Sequence, residues 1–233
     1  MIEIEKKPFV SIKDVRKNFQ MGKVTVEALK GVTLGIDQGE FLAIGGASGS
    51  GKSTLLNLIG CLDTVTSGEI EVNGKSLLKL KEKEKDKFRV KTIGFVFQTF
   101  NLIPVLNVYE NVELPLLICK DVSLEERRKR VEHFIEAVGL YSYMKHKPAE
   151  LSGGQRQRVA VARALVTHPM IVLADEPTAN LDSKTGIEII ELMHDISRKE
   201  NTTFIFSTHD NKIMERADRV VYVNDGVIVS QID

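Results

Sequence analysis

The stretch from Phe41 to Ile59 constrains this chain more than any other. Four apolar residues, Phe41–Ile44, lead into Gly46-Ala47-Ser48-Gly49-Ser50-Gly51-Lys52-Ser53, and Leu55, Leu56, Leu58 and Ile59 follow at helical spacing. A short apolar strand, a glycine-rich turn and a helix in that order predict a strand–turn–helix unit of an α/β fold. The turn itself matches the phosphate-loop pattern G-x-x-x-x-G-K-[ST] in full. Gly49 and Gly51 lack a Cβ, so backbone N–H groups can turn inward around an anion. The helix that starts near Lys52 directs its positive end at the same place. Lys52 sets a point charge against terminal phosphates, Ser53 offers a hydroxyl to Mg²⁺, and Thr54 can donate to a phosphate oxygen.

Further strand-like runs lie at Phe9–Val15, Glu27–Ile36, Glu69–Val72, Ile93–Phe97, Met170–Ala174, Thr203–Ser207, Arg219–Val223 and Val227–Ser230. They are rich in Val, Ile and Phe and bounded by Gly, Asn and Asp. Phe41–Ile44, Met170–Ala174 and Thr203–Ser207 are nearly all apolar, as strands buried on both faces of a parallel sheet must be. The runs near the two ends alternate more, and Val220–Val227 carries an Asn-Asp-Gly hairpin turn. From Asn107 to about Thr167 the pattern is helical: Ser123 and Glu126 are spaced as a capping box, and Val131, Phe134, Ile135 and Val138 recur at helical spacing. The expected architecture is an α/β core with a mainly parallel sheet, an antiparallel portion and a helical insert. The core takes about 1–98 and 168–233, and the insert about 99–167. The charged stretch Lys79–Lys91 reads as an exposed helix face laced with weak ion pairs.

The 32 basic and 32 acidic side chains cancel, so no dominant basic field draws the chain to nucleic acid or anionic lipid. Leu114–Cys119 and Met170–Ala174, the longest nearly uninterrupted apolar segments, fall far short of the ~20 residues that cross a bilayer. Met1–Val10 holds Glu3, Glu5, Lys6 and Lys7 and does not read as a secretory signal. Cys61, placed in an apolar helical stretch, and Cys119 fit no zinc or redox spacing and read as reduced thiols.

Met170-Ile171-Val172-Leu173-Ala174-Asp175-Glu176 is an apolar strand ending in two carboxylates. Ligands of open parallel sheets gather at the carboxyl ends of strands. Asp175 can there hold Mg²⁺, and Glu176 can orient and deprotonate an attacking water. His209 ends another apolar strand, within reach of a γ-phosphate and the same water, though a capping role beside Asp210 would also suit it. Gln98 follows the strand Ile93–Phe97. On spacing alone it reads as an exposed polar residue.

Leu151-Ser152-Gly153-Gly154-Gln155 adds a second glycine-bearing helix start, and the helix would run through Arg156 to Leu165. With the phosphate loop, Gln98, Asp175-Glu176, Ala179-Asn180-Leu181-Asp182 and His209 in that order, the chain resembles the nucleotide-binding domain of ATP-binding cassette (ABC) transporters over essentially its whole length. The resemblance implies a P-loop NTPase core that binds ATP and Mg²⁺. It implies two copies closing face to face, with Ser152, Gly153, Gly154 and Gln155 of one over the nucleotide of the other. It places Phe19 where an aromatic stacks on adenine. Asp182 falls in the loop linking the two sites, and Gln98 becomes a magnesium-touching sensor toward a helical lobe docked on a separate membrane permease. The chain would then sit on the cytoplasmic face of the cell membrane. At Gly45-Gly46-Ala47 this chain departs from the bulkier residue and proline often found there, which implies altered loop flexibility with retained binding.

Ile93–Gln98, Phe100–Pro104, Glu110–Leu116 and Gly60–Asp63 further resemble the lipoprotein-release and macrolide-export ATPases. Export or extraction of a lipoprotein, peptide or macrolide-like cargo is the activity this implies. An ATPase of a non-transporting envelope complex and a soluble nucleic-acid or ribosome-linked ATPase are the rival readings. A nucleotide-binding regulator is a third, opposed by Glu176 and His209.

Overall fold

The computed structural model describes residues 7–119 and 121–232. Met1–Lys6, and with them most of the opening segment, lie outside the described residues. Among the described residues ten strands form two sheets, and seven α-helices are interspersed with them along the chain. β1 (Val10–Met21), β2 (Val24–Ile36), β4 (Ser67–Val72) and β5 (Lys75–Ser76) form an antiparallel sheet in the order β2-β1-β4-β5. β3 (Phe41–Gly45), β6 (Ile93–Val96), β7 (Ile171–Asp175), β8 (Thr203–Thr208), β9 (Arg219–Asn224) and β10 (Val227–Ile232) form a mixed sheet in the order β10-β9-β3-β8-β7-β6. In it only β10 runs antiparallel to its neighbour.

The alternation of side chains across the mixed sheet builds two cores. Phe41 and Ala43, Val172 and Ala174, and Phe204 and Phe206 point to one face. Leu42 and Ile44, Ile171 and Leu173, and Ile205 point to the other. Phe41–Ile44, Ile171–Ala174 and Phe204–Phe206 are therefore apolar at consecutive positions, which is why these runs stand out in the sequence. The first face is covered by α3 (Val108–Ile118), α4 (Leu124–Ala137), α5 (Gly153–Leu165), α6 (Ser183–Glu200) and the short α7 (Asn211–Met214). The second face packs α1 (Lys52–Ile59) between the two sheets, with Leu55, Leu58 and Ile59 against Ile12, Ile36 and Val72. α2 (Glu82–Thr92) leads into β6 and is exposed along most of its length, with Phe88 and Thr92 buried.

Several expectations need correction. β1 extends to Met21 and β2 begins at Val24, so the expected runs at Phe9–Val15 and Glu27–Ile36 continue into one long hairpin around Gly22-Lys23. Its far end carries exposed Phe19, Met21, Val24 and Val26, which no core periodicity marks. α1 ends at Ile59, and Cys61 sits beyond it in a left-handed turn with φ 54°, buried but not helical. Burial raises the pKa of its thiol. The Ser123–Glu126 capping box is half made: Ser123 Oγ accepts from the Glu126 amide at 3.2 Å, and no return bond from Glu126 to Ser123 is formed. The hairpin turn holds only Asp225 and Gly226, both at positive φ as a two-residue turn requires, while Asn224 pairs with Val227 inside the ladder.

Candidate functional site

Three strands deliver the expected groups to one edge. β3 runs into the phosphate loop, β7 into Asp175-Glu176, and β8 into His209. Their registers align Gly45 with Thr208 and Asp175 with Ser207. The carboxyl ends of adjacent parallel strands thus place residues from three distant parts of the sequence side by side.

The phosphate loop is closely packed. At Gly46, φ is 147° and a Cβ would lie 2.2 Å from the Val223 carbonyl. At Gly51, φ is 109° and a Cβ would lie 2.7 Å from the Ala28 carbonyl. No other residue fits either place without shifting backbone. Ala47, Ser48 and Gly49 form the exposed rim. The space that a bulkier residue at 45 would take is filled by the Met214 sulfur, 2.5 Å from an imagined Gly45 Cβ. The loop entrance is therefore filled.

The loop's polar groups are conspicuous for what they lack. α1 starts on Gly51 with no side-chain cap and no acidic residue in its first turn. Ser50 Oγ is buried without a hydrogen-bond partner. Lys52 is 5% exposed, and its ammonium donates to the Gly46 and Ala47 carbonyls at 2.8 Å each. Among the described residues no carboxylate pairs with it. A buried cation held only by carbonyl dipoles, beside unused N–H and O–H donors, is a pocket awaiting an anion. Thr54, two positions after Lys52 in α1, is half-buried.

Asp175 Oδ1 accepts from Ser53 Oγ at 2.9 Å and from Ser207 Oγ at 2.6 Å. Ser207 Oγ in turn accepts from the Glu176 amide at 2.9 Å. Glu176 has φ 44°, a strained value for a long side chain. Its Oε1 lies 3.3 Å from His209 Nδ1, with His209 well exposed and Glu176 half-buried. Ser53 Oγ and Asp175 are hard oxygen donors, and no cluster of three acidic, His or Cys side chains able to hold a metal occurs among the described residues. A short set of hard oxygens suits Mg²⁺, which keeps waters and phosphate oxygens as its remaining ligands.

Gln98 is exposed just past β6, and its backbone carbonyl accepts from Asn180 Nδ2 at 2.8 Å. Phe19 lies on β1 opposite Val26, 39% exposed, with Lys17 Nζ 4.8 Å from its ring centroid. Ser152 caps α5 in a complete box: its Oγ accepts from the Gln155 amide at 3.2 Å, and Gln155 Oε1 accepts from the Ser152 amide at 2.9 Å. Gly153 and Gly154 lie against Leu181 and Thr185, at the start of α6. Asp182 caps that helix by accepting from the Thr185 amide at 3.0 Å. Hydrogen bonds from Thr185 hold its carboxyl below the usual carboxylate range. Among the described residues no hydrogen bond joins Ser152–Gln155 to the phosphate loop of the same chain. Ser207, Asn180 and Arg163 are also bonded into the site's frame, although the sequence motifs assign none of them a role. A serine ending the otherwise apolar Thr203–Phe206 run was the available signal for Ser207.

A family model described as "ABC transporter" matches residues 29–179. This chain belongs to the ABC transporter family. It is 46% identical over 217 residues to the lipoprotein-releasing system ATP-binding protein LolD of Acinetobacter baylyi, covering 93% of this chain and 95% of that protein. It is 45% identical over 223 residues to the macrolide export ATP-binding/permease protein MacB of Brucella melitensis, covering 96% of this chain and 34% of MacB. Its fold superposes with TM-score 0.87 on the ATP-binding cassette MJ0796, solved as a dimer in a post-hydrolysis state bound to ADP and Pi. Sequence identity there is 46%, with 96% of this chain and 98% of that one covered. The chain is thus an ATP-binding cassette and an ATPase. No helix among the described residues is long and apolar enough to cross a membrane.

Proposed function

We propose that this chain powers a separate membrane permease, with two copies closing around two MgATP at the cytoplasmic face. The observation that carries the reading is the Lys52 ammonium, buried on two carbonyls beside the unpartnered Ser50 hydroxyl and the uncapped start of α1. A triphosphate supplies the missing negative charge, and one chain leaves its γ end open. Ser152, Gly153, Gly154 and Gln155 of a second copy cover that end. Phe19 stacks on the adenine, and Asp182 lies where the two sites meet. The insert at about 99–167 is the part that faces the permease. Likeness to the LolD and MacB proteins favours export or extraction of a lipoprotein, peptide or macrolide-like cargo.

Ser53 Oγ, Asp175 and Gln98 would hold Mg²⁺, which when bound would supply charge neutralisation to the triphosphate. Lys52 anchors the terminal phosphates and stabilises the charge that develops as the γ-phosphoryl group leaves. Glu176 accepts the proton of the attacking water as its oxygen bonds to the γ-phosphorus and the bond to ADP breaks. His209, already within 3.3 Å of Glu176, orients the water and the γ-phosphate. Ser207 fixes both carboxylates, through the Asp175 side chain and the Glu176 amide.

Glu176→Gln tests the assignment. It should bind MgATP, lose on the order of 10²–10⁴-fold in turnover, and accumulate as a dimer in sedimentation. Turnover at the unsubstituted rate would remove Glu176 from the role of base.

A further inference from the structure

The segment Gln98–Asn101 is held in an unfavourable shape from two sides. Phe100 and Asn101 have φ of 60° and 48°, two consecutive non-glycine residues in the left-handed region. Each is a strained conformation that persists only where its surroundings enforce it. Arg163 on α5 provides one enforcement: it donates to the Phe100 carbonyl at 2.7 Å and to the Asn101 carbonyl at 2.6 Å. Successive left-handed residues turn these carbonyls the same way, and a planar guanidinium spans both with separate N–H groups, which an ammonium does less well. Two helical turns nearer the start of α5, Arg156 lies over the Phe100 ring at 5.3 Å. Asn180 provides the other enforcement through its bond to the Gln98 carbonyl.

Asn180 belongs to the loop that follows Glu176. Ala179 N donates to the Glu176 carbonyl at 3.2 Å and Leu181 N to the Thr178 carbonyl at 3.0 Å, so Glu176 to Leu181 is a compact double turn. β6 pairs Val96 with Ala174 of β7, and the two chains leave the sheet side by side, Gln98 two residues past Val96 and Glu176 two past Ala174. The Asn180 side chain closes this pair of exits into a ring. α5, which begins at Ser152, is pinned to the same segment through Arg163.

We propose that Asn180 and Arg163 are positioning residues for ATP hydrolysis: together they set the place of Gln98 against Glu176 and make the Gln98 segment move with α5. The inference rests on the proposed nucleotide site. Neither residue touches nucleotide in it. The device puts one chain's Ser152 end, offered to another copy's nucleotide, in mechanical register with that chain's own Gln98.

The test is steady-state ATP hydrolysis against MgATP concentration for the full chain, with Asn180→Ala, Gln98→Ala and the double variant. Asn180→Ala should lower kcat on the order of ten-fold with KM and MgATP affinity unchanged. In the Gln98→Ala background the same substitution should cost less than two-fold, because the group it positions is gone. A purely packing role would give equal losses in both backgrounds. If Asn180→Ala does not fold, Asn180→Ser makes the same comparison. Arg163→Lys should fall between the unsubstituted chain and Arg163→Met. Unchanged kcat in Asn180→Ala, or additive losses, overturns the inference while leaving Glu176 and the nucleotide site intact. A chain that neither binds nor hydrolyses MgATP before any substitution would instead sink the function it rests on.

Discussion

The proposed function assigns two helix starts in this molecule to nucleotide, and they are finished differently. α1 begins on Gly51 with no cap, an unpartnered Ser50 hydroxyl and a lysine resting on carbonyls. α5 begins on Ser152 with both halves of a capping box closed by Gln155. The first start leaves its donors for a ligand and is an anion site by itself. The second has its Ser152 and Gln155 amides satisfied by the box, while the Gly153 and Gly154 amides and the Ser152 hydroxyl proton remain to donate. The first start carries a buried cation beside it, whereas the second, among the described residues, has none and makes no hydrogen bond to the phosphate loop of its own chain. This difference suits an order in which ATP binds first to the phosphate loop and the second copy arrives afterwards.

The largest effect that could break the comparison is at Lys52. Lys52→Met removes the buried cation without adding polar groups, and MgATP affinity by equilibrium binding should fall on the order of 10²-fold or more. A loss under three-fold would mean that α1 and the loop amides suffice alone, and the supposed need for the cation would be gone. Ser152→Ala should be milder and of two kinds. It opens the cap of α5, costing about 1 kcal/mol in unfolding free energy, and weakens ATP-driven dimerisation while monomer affinity for MgATP stays the same. Equal losses in both binding measurements would show that the two starts are not functionally separate. The smallest effect concerns α6, a third helix start, capped by a carboxylate. The depressed pKa of Asp182 contributes stability present above its unfolded value and lost as pH falls through its folded one. Asp182→Asn keeps an acceptor without the titrating charge. It should leave the melting temperature near neutral pH almost unchanged and flatten its decline in acid.

The strands that form the site's floor were readable because burial on both faces leaves few polar positions: β3, β7 and β8 are nearly all apolar before their functional ends. The phosphate loop was readable because glycine and lysine there answer to an anion. α6 drew no expectation, although Ile189, Ile190, Met193 and Ile196 repeat at helical spacing behind the Asp182 cap. Strand-like Ile and Met content masked the period. The outer halves of β1 and β2 were missed because they are exposed, and pairing between neighbours rather than burial holds them. Arg163 and Asn180 were out of reach for another reason: both bond to backbone carbonyls, and which carbonyl presents itself depends on tertiary placement. The Gln98–Asn180 bond spans 82 positions, and no local pattern encodes it.

The Asp225-Gly226 turn has a consequence for how the chain acquires activity during synthesis. Gly226 N donates to the Ser50 carbonyl at 3.0 Å, and the Gly226 carbonyl accepts from Lys30 N at 2.8 Å. β3, which carries the loop, is flanked by β8 and β9, both made some 160 residues or more after it. The phosphate-holding segment is made well before the strands and the hairpin that brace it. Long-range closure of this kind is slow and comes late. The phosphate-holding segment is therefore fully braced only once the β9–β10 hairpin has been made and docked.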